Sequence, residues 1–539
     1  MSQRHPKVCY WQDAPIPREQ LVLFSNTLED RIPDDHPVRV LDEILGRLDW
    51  TSWEAQYHGS FGQPPIHPRV LASVLLFALM RRIRSSRQIE YQIKHSIDFM
   101  WLVSGRTIAH NTICEFRRDH GENLKDIYKQ VIALAVDMGV AKLSELCIDG
   151  SRILANANRY KTWTAERVSK VIESLDGEIK EALERMETSD QVDDLLDDGT
   201  AADRLPGPLA DMQLRKEKLE EILAKLGEMD EQRKANGIDP KKKPAQLPKT
   251  DPDARILPNK EGGYAANYTP MAVSETENGF IVGADVVIGN VEHDCLLPMV
   301  DQIIATYDAE VETVMGDTAY SAGENLSGTE ERNIELLAPL AQVKCPENPA
   351  HREDLSEPVD SGKLDQLPIN PQTKRFDKTA FVYDEQADCY WCPAGKKLPR
   401  SGSEKKTRGD KTTRQINYTC YECTGCPLAD RCRKDSAAKK GRKITHDLHE
   451  PARRRHRDRM SDPDNRERYK VRQHIAETPF AVLKAAMDVR RFLLRGIAGV
   501  RSEFLWGCTA FNLKKLMGLV AKLREHLAAT AIEPLTEAM

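Results

Sequence analysis

Three carboxylates carry the first chemical signal in this chain. Asp149 closes the short apolar run in SELCIDG, and Asp317 closes the run in AEVETVMGD. Glu477 is the one acid of YKVRQHIAETPFAVLK (469–484), a stretch dominated by basic, aromatic and aliphatic side chains. Transfer of a phosphodiester uses two divalent cations about 3.5 to 4 Å apart, one activating the attacking oxygen and one stabilising the leaving oxygen. Mg²⁺ takes a few carboxylate oxygens plus water and phosphate, so three converging acids suffice. Two acids at the ends of adjacent strands and a third from a packed helix would converge in that way. At 100° per residue Tyr469, Glu477 and Lys484 fall within about 80° of one another, with Arg472 at the edge of the same half-face. Such neighbours could hold a phosphate backbone while Glu477 faces metal. Pro479 is best tolerated in a first turn, which predicts a bend or helix start near Glu477.

A second signal is thiol. Of 12 cysteines, Cys389, Cys392, Cys420, Cys423, Cys426 and Cys432 crowd one segment in the order CxxC, then CxxCxxC, then a last Cys. In a reducing compartment paired knuckles of this kind indicate zinc more often than disulfides. Cys389, Cys392, Cys423 and Cys426 are the expected ligands of one structural zinc, with Cys420 and Cys432 as alternatives or members of a second site. A closed all-thiolate site is structural, and its ion substitutes for a missing hydrophobic core.

Net charge is −6, but the signs are segregated. Acid collects in ETSDQVDDLLDDGTAAD (187–203), and base collects in RCRKDSAAKKGRKI and RRRHRDR (431–459), directly upstream of the Glu477 motif. Arg453, Arg454, Arg455 and Arg457 are therefore expected to follow a DNA backbone toward the acids. No apolar run approaches the roughly 18 to 20 residues of a membrane span, and MSQRHPKVCYWQDAPIP has no signal-peptide core. A cytoplasmic protein without membrane contact is expected.

The elements that must position these residues follow from periodicity. Residues 1–140 read as a helical domain: HPRVLASVLLFALMRR, SSRQIEYQIKHSIDFMWL and NTICEFRRDHGENLKDIYKQVIALAVDMG carry apolar faces at helical spacing. With Arg84, Arg87, Arg117 and Arg118 near helix ends, they suggest a helix-turn-helix DNA-binding assembly. Residues 141–163 open a catalytic core with a strand ending on Asp149. Residues 164–250 predict an antiparallel helical hairpin and a Pro-rich return loop. Residues 251–340 resume the core with a hairpin around Glu277-Asn278-Gly279, a helix, and a strand ending on Asp317, together a mixed α/β sheet. Residues 341–460 form the Cys-rich insertion and basic linker, 461–523 the C-terminal helices with a Gly-containing break near 496–499, and 524–539 a tail.

Taken together, IDGSRILANANRY, VMGDTAYSAGENL and YKVRQHIAETPFAVLKAAMDVRRFLLRGIAGVRSEFLWGCTAFNLKKL resemble the DDE transposases of bacterial insertion sequences. The resemblance is to the branch with a helical N-terminal domain and a Cys-rich insert before the last acid. It implies an RNase H-like mixed-sheet core with a helical hairpin and a zinc-ribbon-like insertion, and cleavage and strand transfer of DNA dependent on Mg²⁺ or Mn²⁺. By motif the triad falls on Asp149, Asp317 and Glu477, and the DNA-contacting positions fall on Tyr469, Arg472 and Lys484. Four residues separate Arg472 from Glu477, where the wider signature commonly has three. The implied partners are double-stranded DNA, as terminal inverted repeats and target, and a second copy of the chain in a synaptic complex on the nucleoid. A metal-dependent nuclease on the same core and a catalytically silent DNA-binding derivative are the competing expectations.

Overall fold

The computed structural model describes residues 27–57, 65–193, 207–259, 262–290, 292–340, 348–408, 411–435 and 441–532. They fall into two compact units, one running to Phe116 and including residues from Met517 onward, the other Arg117–Leu516.

The first unit is helical. Helices Pro37–Gly46 and Pro68–Met80 start alike, with proline at the first turn and a histidine N-cap. His36 Nδ1 accepts from the Val38 amide at 3.2 Å, and His67 Nδ1 from Arg69 at 3.1 Å. Each cap satisfies one amide that the first turn leaves unpaired. Leu41, Leu45, Leu75, Leu76 and Phe99 fill the core, and Trp53 stacks on Phe116 with ring centroids 5.2 Å apart. The division expected near residue 140 lies inside the second unit, because helix Gly121–Asp137 packs there: the Tyr128 hydroxyl donates to the Ile281 carbonyl at 2.6 Å.

The second unit is built on a seven-stranded mixed sheet whose main path runs Ile153–Leu154, Tyr264–Glu275, Glu145–Gly150, Thr313–Met315, Glu335–Leu337, with Arg255–Pro258 and Ile281–Val287 also paired to Tyr264–Glu275. The long strand Tyr264–Glu275 is antiparallel to every strand it pairs with, and the last three strands are mutually parallel. Leu146, Cys147 and Ile148 are all buried, as an apolar run without alternation requires of a strand covered on both faces. Glu275 closes the expected hairpin: its buried carboxylate accepts from the amides of Glu277, Asn278 and Phe280. Asn512, from helix Gly496–Ile532, pins the adjoining strand by pairing with both the amide and the carbonyl of Ile281, at 2.9 and 2.7 Å.

Helices Ala165–Asp193 and Gly207–Ala235 form the expected hairpin and meet through Val168, Leu175, Leu219 and Leu226. The acidic run at 187–203 lies outside the described residues from 194 on. The Cys-rich insertion departs from its expected character. It contains a five-stranded antiparallel sheet, Val382–Asp384, Cys389–Trp391, Lys397–Arg408, Lys411–Thr419 and Lys443–Asp447. Phe376, Phe381, Tyr390, Leu398, Tyr418 and Ile444 give it a hydrophobic core of its own, so no ion has to stand in for one. That core is assembled from single apolar residues scattered among polar ones, which leaves no periodic signal.

Candidate active site

Strand register brings the first two acids together. Cys147 lies opposite Met315 on neighbouring parallel strands, and Asp149 and Asp317 each follow two residues later. Parallel strands stand about 4.8 Å apart, so the two carboxylates leave one end of the sheet side by side. Asp317 also caps the short helical turn Thr318–Ser321, where its Oδ1 accepts from the Ala319 amide at 2.8 Å.

Each acid has a glycine neighbour that admits a further side chain. A Cβ on Gly316 would lie 2.7 Å from the Tyr320 ring, and one on Gly150 would lie 3.3 Å from the Glu292 carboxyl carbon. Tyr320 is fully buried, and its hydroxyl has no hydrogen-bond partner among the described residues. Burial pushes that hydroxyl well above the ordinary tyrosine range, and Asp149, Glu292 and Asp317 push in the same direction. Glu292 thus joins the acidic end of the sheet although sequence reasoning passed over it. Its only signal was an acid just ahead of an apolar helix, the usual mark of a first turn.

The helix Pro463–Ala481 lies against this end of the sheet and supplies the cations. Arg468 reaches the start of three parallel strands at once, donating to Glu145 at 2.9 Å, Thr313 at 3.0 Å and Glu335 at 2.8 Å. At the next residue, the Tyr469 hydroxyl donates to the Gly316 carbonyl at 3.1 Å, next to Asp317. Arg472 Nη2 lies 3.0 Å from Asp149 Oδ1. Lys484 Nζ donates to Ser151 Oγ at 2.6 Å. Ala476 is buried against Cys147, Met315 and Leu337, while its neighbour Glu477 is exposed. Burial raises the Cys147 thiol to about 12, keeping it neutral beneath the site.

The expected bend at Glu477 is absent. The helix runs through the buried Pro479, and the irregularity comes afterwards as a π-helical turn, Val482–Ala486. Pro479 has no amide to give to the preceding turn, and a wider turn takes up the misfit. Lys484 stands in that wider turn, so the angle drawn from regular 100° steps does not hold for it.

Three of the four upstream arginines, Arg453, Arg454 and Arg455, are engaged with protein carboxylates. Arg453 makes a two-pronged pair with Asp447 at 2.7 Å on each arm. Arg454 pairs with Glu450 and lies over the Tyr383 and Tyr390 rings, 5.3 Å from each centroid. Arg455 bridges Glu330 and Glu385, at 2.7 Å from each.

Among the cysteines, Cys392, Cys420, Cys423, Cys426 and Cys432 line one cavity of about 20 Å³, room for a single water-sized sphere. The Lys396 amide donates to Cys392 Sγ at 3.3 Å and the Arg442 amide to Cys423 Sγ at 3.5 Å. The Cys432 thiol interacts electrostatically with those of Cys392, Cys423 and Cys426. Cys389 is elsewhere, buried on its strand with Lys397, Asp384 and Asp388 as its charged neighbours. None of the described cysteines is in a disulfide. Among the described residues, no group of three or more His, Cys, Asp or Glu is gathered to hold an ion as it stands.

Two family comparisons match the chain, one over the insertion and the cationic helix and one over the helical unit. Residues 391–517 match the Transposase DDE domain, and residues 26–119 match a Transposase domain known as DUF772. The two matches support a DDE transposase of the insertion-sequence type. No curated protein matches the chain. Among the described residues, no helix is long and apolar enough to cross a membrane.

Proposed function

We propose that this transposase binds the terminal inverted repeats of its own insertion sequence and carries out metal-dependent DNA cleavage and strand transfer on an RNase H-like core. The observation that carries the reading is the register of Cys147 opposite Met315 on adjacent parallel strands, two residues before Asp149 and Asp317, with the helix that carries Tyr469, Arg472 and Glu477 packed against them. The strand order, with one long antiparallel strand beside three parallel ones, is consistent with that core.

Asp149, Asp317 and Glu477 are the residues that would hold Mg²⁺ or Mn²⁺, with Glu292 close by. An oxygen-only donor set around an unpartnered Tyr320 hydroxyl suits a hard cation. Such a cation would activate the attacking oxygen and stabilise the leaving one. Arg472 and Lys484 balance the acids and face the approaching phosphate. Tyr469 holds the backbone from which Asp317 projects, which makes it a positioning residue.

In the insertion, a structural zinc would take Cys392, Cys423, Cys426 and Cys432. Amide hydrogen bonds already reach the sulfurs of Cys392 and Cys423, and an ion would draw the four together. Cys389 leaves the ligand set, and Cys420 borders it. The helical unit reads the element end, and a second copy of the chain supplies the partner end in synapsis.

The test is a labelled duplex carrying one element end, incubated with the purified protein, Mg²⁺ and target plasmid. Cutting at the end and covalent joining to the plasmid are expected. Cutting without joining would replace the reading by a nuclease, and binding without either would leave a silent DNA-binding derivative.

A further inference from the structure

The second unit also carries a cleft of about 640 Å³ with a distinct chemistry. Four cations line it, Arg159, Lys161, Arg491 and Arg495, and no acid does among the described residues. One aromatic ring lines it, that of Tyr264, 58 % exposed, and Tyr160, 75 % exposed, adjoins the lining residue Arg159. Arg159 ties them together, donating to the Tyr264 carbonyl and lying over the Tyr160 ring 4.6 Å from its centroid.

The cleft is continuous with the candidate active site along the chain. From Asp149 the backbone passes Ser151, the partner of Lys484, and enters the cleft at Leu154, in the short strand Ile153–Leu154. Five residues from Asp149 to Leu154 span at most roughly 18 Å when extended. The walls are fixed: the Leu154 amide donates to the Arg490 carbonyl at 3.2 Å, the Phe492 amide to the Leu154 carbonyl at 2.8 Å, and Arg495 Nε to the Asn156 carbonyl at 3.2 Å. The cleft is therefore preformed.

A duplex buries its base faces in stacking and offers a protein phosphates and base edges. Exposed aromatic rings beside clustered cations instead suit unpaired bases, which stack on the rings while the backbone tracks the charge. We infer that this cleft seats a short unpaired stretch of DNA strand leading to the acids, with Tyr264 and Tyr160 as stacking platforms and Arg491 and Arg495 on its phosphates. The inference rests on the transposase reading and adds that the strand end is unpaired as it is processed.

Two probes test it on the full-length protein without added divalent cation: a blunt duplex, and the same duplex with an unpaired tail of about three nucleotides carrying 2-aminopurine. The tailed probe should bind roughly ten-fold more tightly, with its fluorescence quenched by stacking. The double variant Tyr160→Ala, Tyr264→Ala should lose both the preference and the quenching while keeping blunt-duplex affinity. The matching Phe variant should retain both, which separates stacking from misfolding. Equal affinity of the wild-type protein for the two probes, an unquenched tail, or Phe variants as weak as the Ala ones would overturn the inference alone. Binding to neither probe would overturn it together with the transposase reading.

Discussion

Arg472 Nη2 and Asp149 Oδ1 lie 3.0 Å apart, with side-chain exposures of only 12 % and 20 %. The guanidinium stands where a divalent cation bound to Asp149 would need to exert its charge, and its Nε has no hydrogen-bond partner. A metal bound at Asp149 would compete with Arg472 for that carboxylate and would free the arginine for phosphate.

Arg472→Ala should therefore tighten divalent-cation binding while slowing cleavage. Loss of a charge-assisted hydrogen bond of about 1.5 kcal/mol corresponds to roughly ten-fold in metal affinity. Calorimetric titration with Mn²⁺ alongside single-turnover cleavage would read both. Weaker metal binding in the variant would show that Arg472 supports the ion instead of competing with it.

Asp149→Ala, Asp317→Ala and Glu477→Ala should each reduce cleavage to background and leave end binding nearly intact, since affinity comes from contacts to phosphate. Glu292→Gln should keep measurable cleavage at raised metal concentration, as expected of a neighbour and not a required ligand. Cleavage near the wild-type rate in any of the three alanine variants would remove that residue from the site.

For the insertion, metal analysis should find one tightly held zinc per chain. Cys432→Ser should lose it and lower stability, whereas Cys389→Ser should keep it. Zinc lost with Cys389 and kept without Cys432 would restore the ligand set read from spacing.

His446 makes the insertion sensitive to acid. Its ring is buried between Tyr390, whose hydroxyl is 2.9 Å from Nδ1, and Tyr418, whose hydroxyl is 3.2 Å from Nε2. Burial foremost, with Lys378 next, lowers its pKa from 6.5 to about 4. An unfolded chain takes up this proton below about 6.5 and the folded one only near 4, so the stabilisation is complete above the first value and is lost as pH falls between them. From pH 7 to 5 the loss is about 2 kcal/mol. Denaturant unfolding of wild type and His446→Asn at both pH values would measure it, and an unchanged pH dependence in the variant would exclude His446 as the cause.

The arginines upstream give a contrasting expectation. Arg453→Ala should destabilise the protein by about 1 to 3 kcal/mol by stranding Asp447, and should leave the salt dependence of DNA binding unchanged. Lys484→Ala should reduce cleavage more than affinity. A flatter salt slope for Arg453→Ala would return that residue to the DNA-binding surface.

Much of this protein was legible in one dimension because the relevant forces are local. Apolar runs ending on Asp149 and Asp317, the turn at Glu277-Asn278-Gly279 and the long helices at 165–193 and 207–235 follow from side-chain periodicity and turn chemistry acting over a few residues. The acids and their cationic helix could be recognised as a chemical set for the same reason. What only the tertiary structure decided depends on residues far apart in the chain. Strand register set Asp149 beside Asp317, and space beside two glycines admitted Glu292 and Tyr320. The π-helical turn after Pro479 aimed Lys484 at Ser151, and packing of the insertion turned Cys389 away while bringing Cys432 in. The arginines of 453–455 show the difference most plainly: sequence reveals their charge, but whether a charge meets DNA or a protein carboxylate is decided by which acids folding brings within about 4 Å.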